Sequence, residues 1–261
     1  AVLPFHYVMG NSLLNTHFAI GGSVIINNQF AYPATVVKEM VEQKVTGFSG
    51  VPSTYAYLLH RSPLASYRLQ LDSLRYCSQA GGHMSRRIKE VLRQALPNHT
   101  QIVIMYGATE AAARLTYLPP EHFSEKMDSI GIAIPGVVLK VVAPDGTELP
   151  PGQIGELVAS GPNIMLGYWQ DPESSSKVLD ADGCYHTGDL GYMDEEGFLY
   201  LTGRQDDLIK VGGHRINPHE IEDVLMETGF VIEAAVLGIK DEMLGNRLYA
   251  LIALKCKDNA E

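Results

Sequence analysis

The chain has 261 residues, 46% hydrophobic and 19% charged, with a formal net charge of −10, enough for one large or two ordinary globular domains. The acidic balance argues against a general nucleic-acid binder, which needs a basic face for the phosphate backbone, but a few placed cations still suffice for a phosphorylated small ligand. No apolar run reaches the length of a membrane span, and the N-terminus has no signal-peptide pattern. The first residue is Ala1, not Met, and the abrupt opening reads as the start of a fragment. Cys77, Cys184 and Cys256 lie far apart with no C-x-x-C pair. That disfavours a zinc knuckle or a disulfide framework and fits a reducing, cytoplasmic setting.

In chain order, residues 34–44 carry Val37, Met40, Val41 and Lys44 at helical spacing, and residues 46–51 read as a short strand leading into Pro52-Ser53-Thr54. A strand over 74–77 runs through Ala80-Gly81-Gly82 into a helix over 85–95. Ser85 is its expected N-cap, and Ile88, Val91, Leu92 and Ala95 its buried stripe. A strand over 101–105 follows. Strands alternating with helices predict a parallel or mostly parallel sheet.

The pattern changes near Ile130. Residues 137–143, the turn Pro144-Asp145-Gly146-Thr147 and residues 154–160 read as a hairpin. Further short strands around Tyr192 and Leu199 are joined by Asp194-Glu195-Glu196-Gly197. This stretch predicts a small antiparallel sheet or barrel. A third region opens near Arg204, where Asn217-Pro218-His219-Glu220 is a strong helix start: Asn at N-cap, Pro at N1, Glu at N3. Ile221, Val224 and Leu225 are its expected apolar face, and 231–237 and 248–254 read as strands. The chain stops before a compact third domain would be complete. The expected fold class is α/β: a mostly parallel α/β part, a small antiparallel barrel-like part, then the start of a small α+β domain.

Three motifs carry chemistry. Tyr106-Gly107-Ala108-Thr109-Glu110 follows Met105 at a strand end, where ligands of α/β sheets sit. Tyr can stack on a base, Thr can offer a hydroxyl to a phosphate, and Glu can hold magnesium, a hard cation. The bland alternative is a turn with an exposed Glu. The second motif is Tyr185-His186-Thr187-Gly188-Asp189-Leu190-Gly191, in which Asp189 suits the two hydroxyls of a ribose; an Asp-capped turn is the alternative. The third runs over residues 203–222. Arg204 can bind ribose or phosphate oxygens, Lys210 adds a cation, and Gly212-Gly213 lets a ligand pass close to the backbone. A polar linker is the alternative there.

His214, His219 and Glu220 lack H-E-x-x-H spacing, and the helix start explains Glu220 better than a metal site does. Cys184 has no partner His placed by sequence and reads as a turn cysteine. Met9, Leu13 and Leu14 read as core.

In this order and spacing, the three motifs resemble the signatures of the adenylate-forming superfamily of acyl-CoA synthetases, aryl-CoA ligases, peptide-synthetase adenylation domains and beetle luciferases. The likeness runs over essentially the whole chain. Pro4-Phe5-His6 resembles the family's aromatic-His segment, Val51-Pro52-Ser53-Thr54 its Pro turn, Ala80-Gly81-Gly82-His83 its adenine loop, and residues 236–245, with Asp241-Glu242 before Gly245, the start of its C-terminal domain.

The resemblance implies an ATP-dependent acid–thiol ligase using ATP, Mg²⁺ and coenzyme A. A carboxylic acid becomes an acyl-adenylate, then a thioester. Gly81, Gly82, His83 and Tyr106 would bracket the adenine, and Met105, Gly107 and Ala108 are further nucleotide-binding candidates. Thr109 would contact the α-phosphate and Glu110 the magnesium. Asp189 and Arg204 would bind ribose, Arg215 would approach the phosphate, and Gly212 and Gly213 would line the pantetheine route. His6 would line the acyl pocket, and Thr109, Glu110, His6 and Lys210 form the candidate catalytic set.

The implied division is 1–130 and 131–203 for the two parts of the large domain, 204–206 for a hinge centred on Asp206, and 207–261 for a truncated C-terminal domain. The family's phosphate loop and its C-terminal catalytic lysine would lie outside these 261 residues, so the fragment alone is expected to be inactive. An adenylation domain loading a carrier protein and a non-catalytic nucleotide-binding relative are the competing readings.

Overall fold

The computed structural model describes residues 1–205, 207–241 and 243–254. Its largest sheet has five strands in the order β1 (Gly47–Gly50), β2 (Tyr76–Gln79), β3 (Gln101–Tyr106), β4 (Thr116–Tyr117) and β5 (Ile132–Ala133). The first three are parallel, joined through α3 (Pro52–Arg61) and α4 (Arg86–Ala95); β4 and β5 turn antiparallel. Two helices precede this sheet, α1 (Val8–Ala19) and α2 (Pro33–Glu42).

The α4 start follows its sequence: the Ser85 hydroxyl accepts from the Ile88 N–H at 3.4 Å, and Leu92 and Ala95 are buried while Ile88 and Val91 are half-buried. Lys89 is buried on the same helix, its Nζ donating to the Met127 carbonyl at 2.7 Å. The second strand begins at Tyr76 and not at Leu74, which lies in a turn closed by its own N–H on the Leu71 carbonyl at 3.1 Å. The core on this sheet includes Val37, Phe48, Tyr55, Leu58, Leu74, Leu92 and Ile102.

The second sheet is antiparallel, in the order β6 (Val138–Val142), β7 (Gly155–Ser160), β8 (Tyr185–Met193) and β9 (Leu199–Arg204). Its edges β6 and β9 do not pair, so among the described residues the expected sheet-or-barrel is an open sheet. A short helix, α5 (Pro172–Val178), lies between β7 and β8. The chain after the Asp145-Gly146 turn first pairs back through Glu148 opposite Val142, so the expected hairpin closes with a longer connection. Leu139, Val141, Leu157, Ala159 and Leu199 form the core beneath. The two sheets are tied together where the Ile130 N–H donates to Leu199 O and the Leu199 N–H to Gly131 O, each at 2.9 Å.

The last region has a ribbon, β10 (Ile209–Val211) with β11 (His214–Ile216), then α6 (Pro218–Glu227) and a long hairpin, β12 (Val231–Asp241) with β13 (Gly245–Leu254). Asn217 caps α6 by accepting from the His219 N–H at 3.0 Å. The expected apolar face is partly wrong: Val224 is 63% exposed, and the buried residues of the helix are Pro218 and Met226. The α6 face turned to β12 carries Glu222 instead, whose Oε1 accepts the Val236 N–H at 2.8 Å. Among the described residues no helix is long and apolar enough to cross a membrane.

Candidate active site

The end of β3 enters a loop that closes on itself. The Leu115 N–H donates to Tyr106 O at 2.8 Å and the Ala113 N–H to Ala108 O at 3.2 Å. A Cβ on Gly107 would lie 2.3 Å from the Ala113 carbonyl oxygen, so only glycine fits there. Ala112 and Ala113 hold φ of +49° and +84°, a conformation that L residues rarely adopt and that recurs at functional loops. Asn163 clamps the loop from outside, its Nδ2 donating at 2.9 Å to the carbonyls of Ala111 and Arg114.

Tyr106, Asp189 and Arg204 meet. The Tyr106 hydroxyl donates to Asp189 Oδ2 at 2.5 Å, and Arg204 Nε donates to Asp189 Oδ1 at 2.9 Å. Asp189 and Arg204 are direct partners across the β8–β9 pair, while Tyr106 arrives from the other sheet. Burial, and then the Asp189 carboxylate, push the Tyr106 hydroxyl pKa well above its ordinary value, so it stays a donor. The same carboxylate raises the Arg204 guanidinium. A carboxylate bridged by a phenol and a guanidinium is a preorganised acceptor for a diol.

Glu110 lies in the turn Thr109–Ala111, where Thr109 is exposed. Its Oε1 accepts from the Tyr168 hydroxyl at 2.6 Å, and its carbonyl accepts from the Met165 N–H at 2.8 Å. That hydrogen bond, with burial, pushes the Tyr168 pKa up to about 12. Burial first, then the charges of Glu110 and Asp189, raise the Tyr185 hydroxyl pKa, while Arg204 lowers it. Ala111, next to Glu110, and Tyr185 lie in one apolar cluster, with Tyr106 packed against it.

Other expected residues lie elsewhere. Met105 is buried, its sulfur accepting from Arg114 Nε at 3.3 Å. Ala108 is half-buried in the closed loop. Gly81, Gly82 and His83 leave β2 where Gln79 pairs with Ile104 of β3, so both loops leave the same sheet edge. Yet His83 faces α6: its Nε2 is 2.9 Å from Asp223 Oδ2, and its ring stacks on His219 with centroids 5.3 Å apart. These loop residues line a cleft of about 870 Å³ with Pro52, Glu222 and Asp223, and that cleft does not include Tyr106, Thr109, Asp189 or Arg204.

Lys210 and Arg215 are cross-strand partners on the β10–β11 ribbon, exposed like Gly212 and Gly213. The ribbon is held to the β12–β13 turn by the Gly212 N–H on Leu244 O and Asn246 Nδ2 on Lys210 O, both 2.8 Å. His6 is exposed at the start of α1, its ring 4.6 Å from that of Tyr7. Asp206 lies outside the described residues, as do Glu242 and Cys256. Sequence reasoning missed Asn163 and Tyr168, whose partners lie 52 and 58 residues away, a separation that leaves no local signal.

The sequence model of the family described as AMP-binding enzyme matches residues 1–169, and that of the AMP-binding enzyme C-terminal domain matches residues 220–261. An indoleacetate–CoA ligase of Aromatoleum aromaticum is 34% identical over 96% of this chain and 48% of its own length. A long-chain-fatty-acid–CoA ligase of Bacillus subtilis is 33% identical over 97% and 44%. The chain thus spans about half the length of the curated relatives it matches. Among solved structures, o-succinylbenzoate CoA synthetase of Bacillus subtilis with ATP and magnesium superposes with a TM-score of 0.80 at 32% identity, covering 97% of this chain and 51% of that one. The amide bond synthetase of Marinactinospora thermotolerans gives 0.86 at 29%, covering 100% and 52%.

Proposed function

The chain belongs to the AMP-binding enzyme family, and from that premise we propose that it carries the nucleotide site of an AMP-forming acid–thiol ligase. The observation that supports this most is the meeting of Tyr106 and Arg204 on one carboxylate, that of Asp189. Asp189 and Arg204 are assigned to the ribose hydroxyls, Tyr106 to the adenine and to Asp189, and Thr109 to the α-phosphate. Gly81 to His83, on the same sheet edge, are assigned to the far side of the adenine. Lys210, Arg215, Gly212 and Gly213 are assigned to the stage at which the ribbon approaches the nucleotide, and His6 to the acyl pocket. Asp206 is the proposed hinge, and 1–130, 131–203 and 207–261 the proposed bodies.

At the proposed phosphate position the candidate donors are oxygens: the second carboxylate oxygen of Glu110 and the exposed Thr109 hydroxyl. Glu110 and Thr109 offer two oxygens, and in this proposal substrate phosphates would supply further ligands. That suits magnesium, which uses one or two carboxylates plus phosphate oxygens. Bound there, it would neutralise phosphate charge.

The proposed reaction has two steps. The substrate carboxylate attacks the α-phosphorus of ATP, forming an acyl-adenylate and releasing pyrophosphate. A thiol then attacks the acyl carbonyl, and AMP leaves. The first barrier is mostly repulsion between anions, so the oriented Thr109 hydroxyl acts by position and electrostatics, while Asp189 and Arg204 hold the ribose. The acceptor is proposed to be the CoA thiol, after the two CoA ligases among the relatives.

The test is ATP-dependent thioester formation by the full-length protein over a panel of carboxylic acids, with CoA and a phosphopantetheinylated carrier as rival acceptors. AMP release coupled to thioester with CoA supports the reading. Nucleotide binding with no thioester for any acid or acceptor sinks it.

A further inference from the structure

Asp189 does not sit on a regular strand. In the β7–β8 ladder, Val158 faces His186 and Glu156 faces Leu190. Between those pairs β7 holds one residue, Leu157, while β8 holds three: Thr187, Gly188 and Asp189. The surplus must bulge out of the ladder, and bulges re-aim side chains. Several hydrogen bonds pin this one. Thr187 Oγ1 donates to Leu157 O at 2.8 Å and accepts from the Asp189 N–H at 3.0 Å. Gly188 O accepts from the Gln205 N–H at 3.0 Å. Gly188 holds a φ of +71°, and nothing lies within 4 Å of where its Cβ would be, so conformation and not space selects glycine.

The Gly188 N–H has lost its ladder partner, and the Glu156 carboxylate takes it. Glu156 Oε1 accepts that N–H at 3.1 Å, and Oε2 lies 3.1 Å from His186 Nδ1. His186 Nε2 lies 3.8 Å from Asp180 Oδ2 on its other side. Both carboxylate oxygens of a half-buried Glu are thus committed to the shape of the turn that aims Asp189 at Tyr106 and Arg204. Packing alone would be served by an apolar side chain at that position.

We propose that Glu156, held by His186, is a positioning residue that sets Asp189 for nucleotide binding; this rests on the assignment of Asp189 to the ribose. The experiment measures AMP affinity by calorimetry and KM for ATP and for the acid, in the full-length protein, for Glu156→Ala, Glu156→Gln and Asp189→Ala. Glu156→Ala is expected to raise the AMP Kd and the KM for ATP on the order of tenfold, with the KM for the acid unchanged. Glu156→Gln keeps an acceptor for the Gly188 N–H and is expected to stay within about threefold of wild type. Should Glu156→Ala fail to fold, Glu156→Asp, which draws the carboxylate back by one methylene, is expected to weaken AMP binding in the same direction. Wild-type nucleotide affinity in the folded variant, or an equal rise in the KM for acid and ATP, overturns the proposal while Asp189→Ala still weakens binding. If Asp189→Ala itself leaves AMP binding unchanged, the ribose assignment fails first.

Discussion

The Asp189 cluster and the β10–β11 ribbon both carry cations and glycines suited to a nucleotide, but only the first is assembled. Asp189 and Arg204 are neighbours because β8 and β9 pair, and Tyr106 reaches them because the two sheets are tied through Leu199. Lys210 and Arg215 are neighbours for the same reason, yet both face solvent. The lesson concerns preorganisation. A site built on paired strands is fixed when the core forms, whereas groups on a ribbon docked by a few backbone bonds act only where that body is placed.

The largest effect should come from the core beneath the assembled site. Leu157 is fully buried and faces the Asp189 bulge across the ladder, so Leu157→Ala should cost about 3 kcal/mol in urea unfolding. Val211 is half-buried on the ribbon, and Val211→Ala should cost less than about 1 kcal/mol. Equal costs would break the contrast.

Asp189→Ala should raise the KM for ATP on the order of a hundredfold, since it removes a charge-assisted acceptor and leaves the Tyr106 hydroxyl and Arg204 without their partner. Steady-state kinetics checks it, and unchanged ATP dependence would remove the ribose role.

Lys89 lies buried on α4, which also touches α6. Burial lowers its pKa from 10.5 to about 8, although Asp128 and Asp223 oppose the shift. The unfolded chain therefore binds the extra proton between those values. The folded state carries the full burden below pH 8 and sheds it as pH rises toward 10.5. Stability of wild type relative to Lys89→Met should rise across that window in denaturant titrations; a flat difference would refute the burial account.

The smallest stability effects belong to the ribbon cations. Lys210→Ala and Arg215→Ala should each shift unfolding by less than about 0.5 kcal/mol, yet lower thioester formation if the proposed approach of the ribbon is right. A loss of stability without loss of rate would reverse their assignment.

Much of this was readable in the residues. Ser85 and Asn217 cap helices where expected, because a cap is a contact over two or three positions. The turns at Asp145-Gly146 and Asp194 to Gly197 joined strands for the same local reason. The Tyr106, Asp189 and Arg204 motifs were legible through residue type and order. The apolar face of α6 was misread at Val224, because helical spacing does not say which side meets β12. Tyr168, Asn163 and Glu156 gave no signal, since each acts on a residue tens of positions away.

Local chemistry written along the chain thus determined the caps, the turns, the alternation of strand and helix, and the family. The tertiary structure alone decided that Tyr106 would reach Asp189 across 83 residues, that the second sheet would stay open, and that His83 would turn to α6. Hydrogen bonds within a few residues depend on residue type and spacing. Contacts between elements depend on register and docking, which are set by the packing of the whole core.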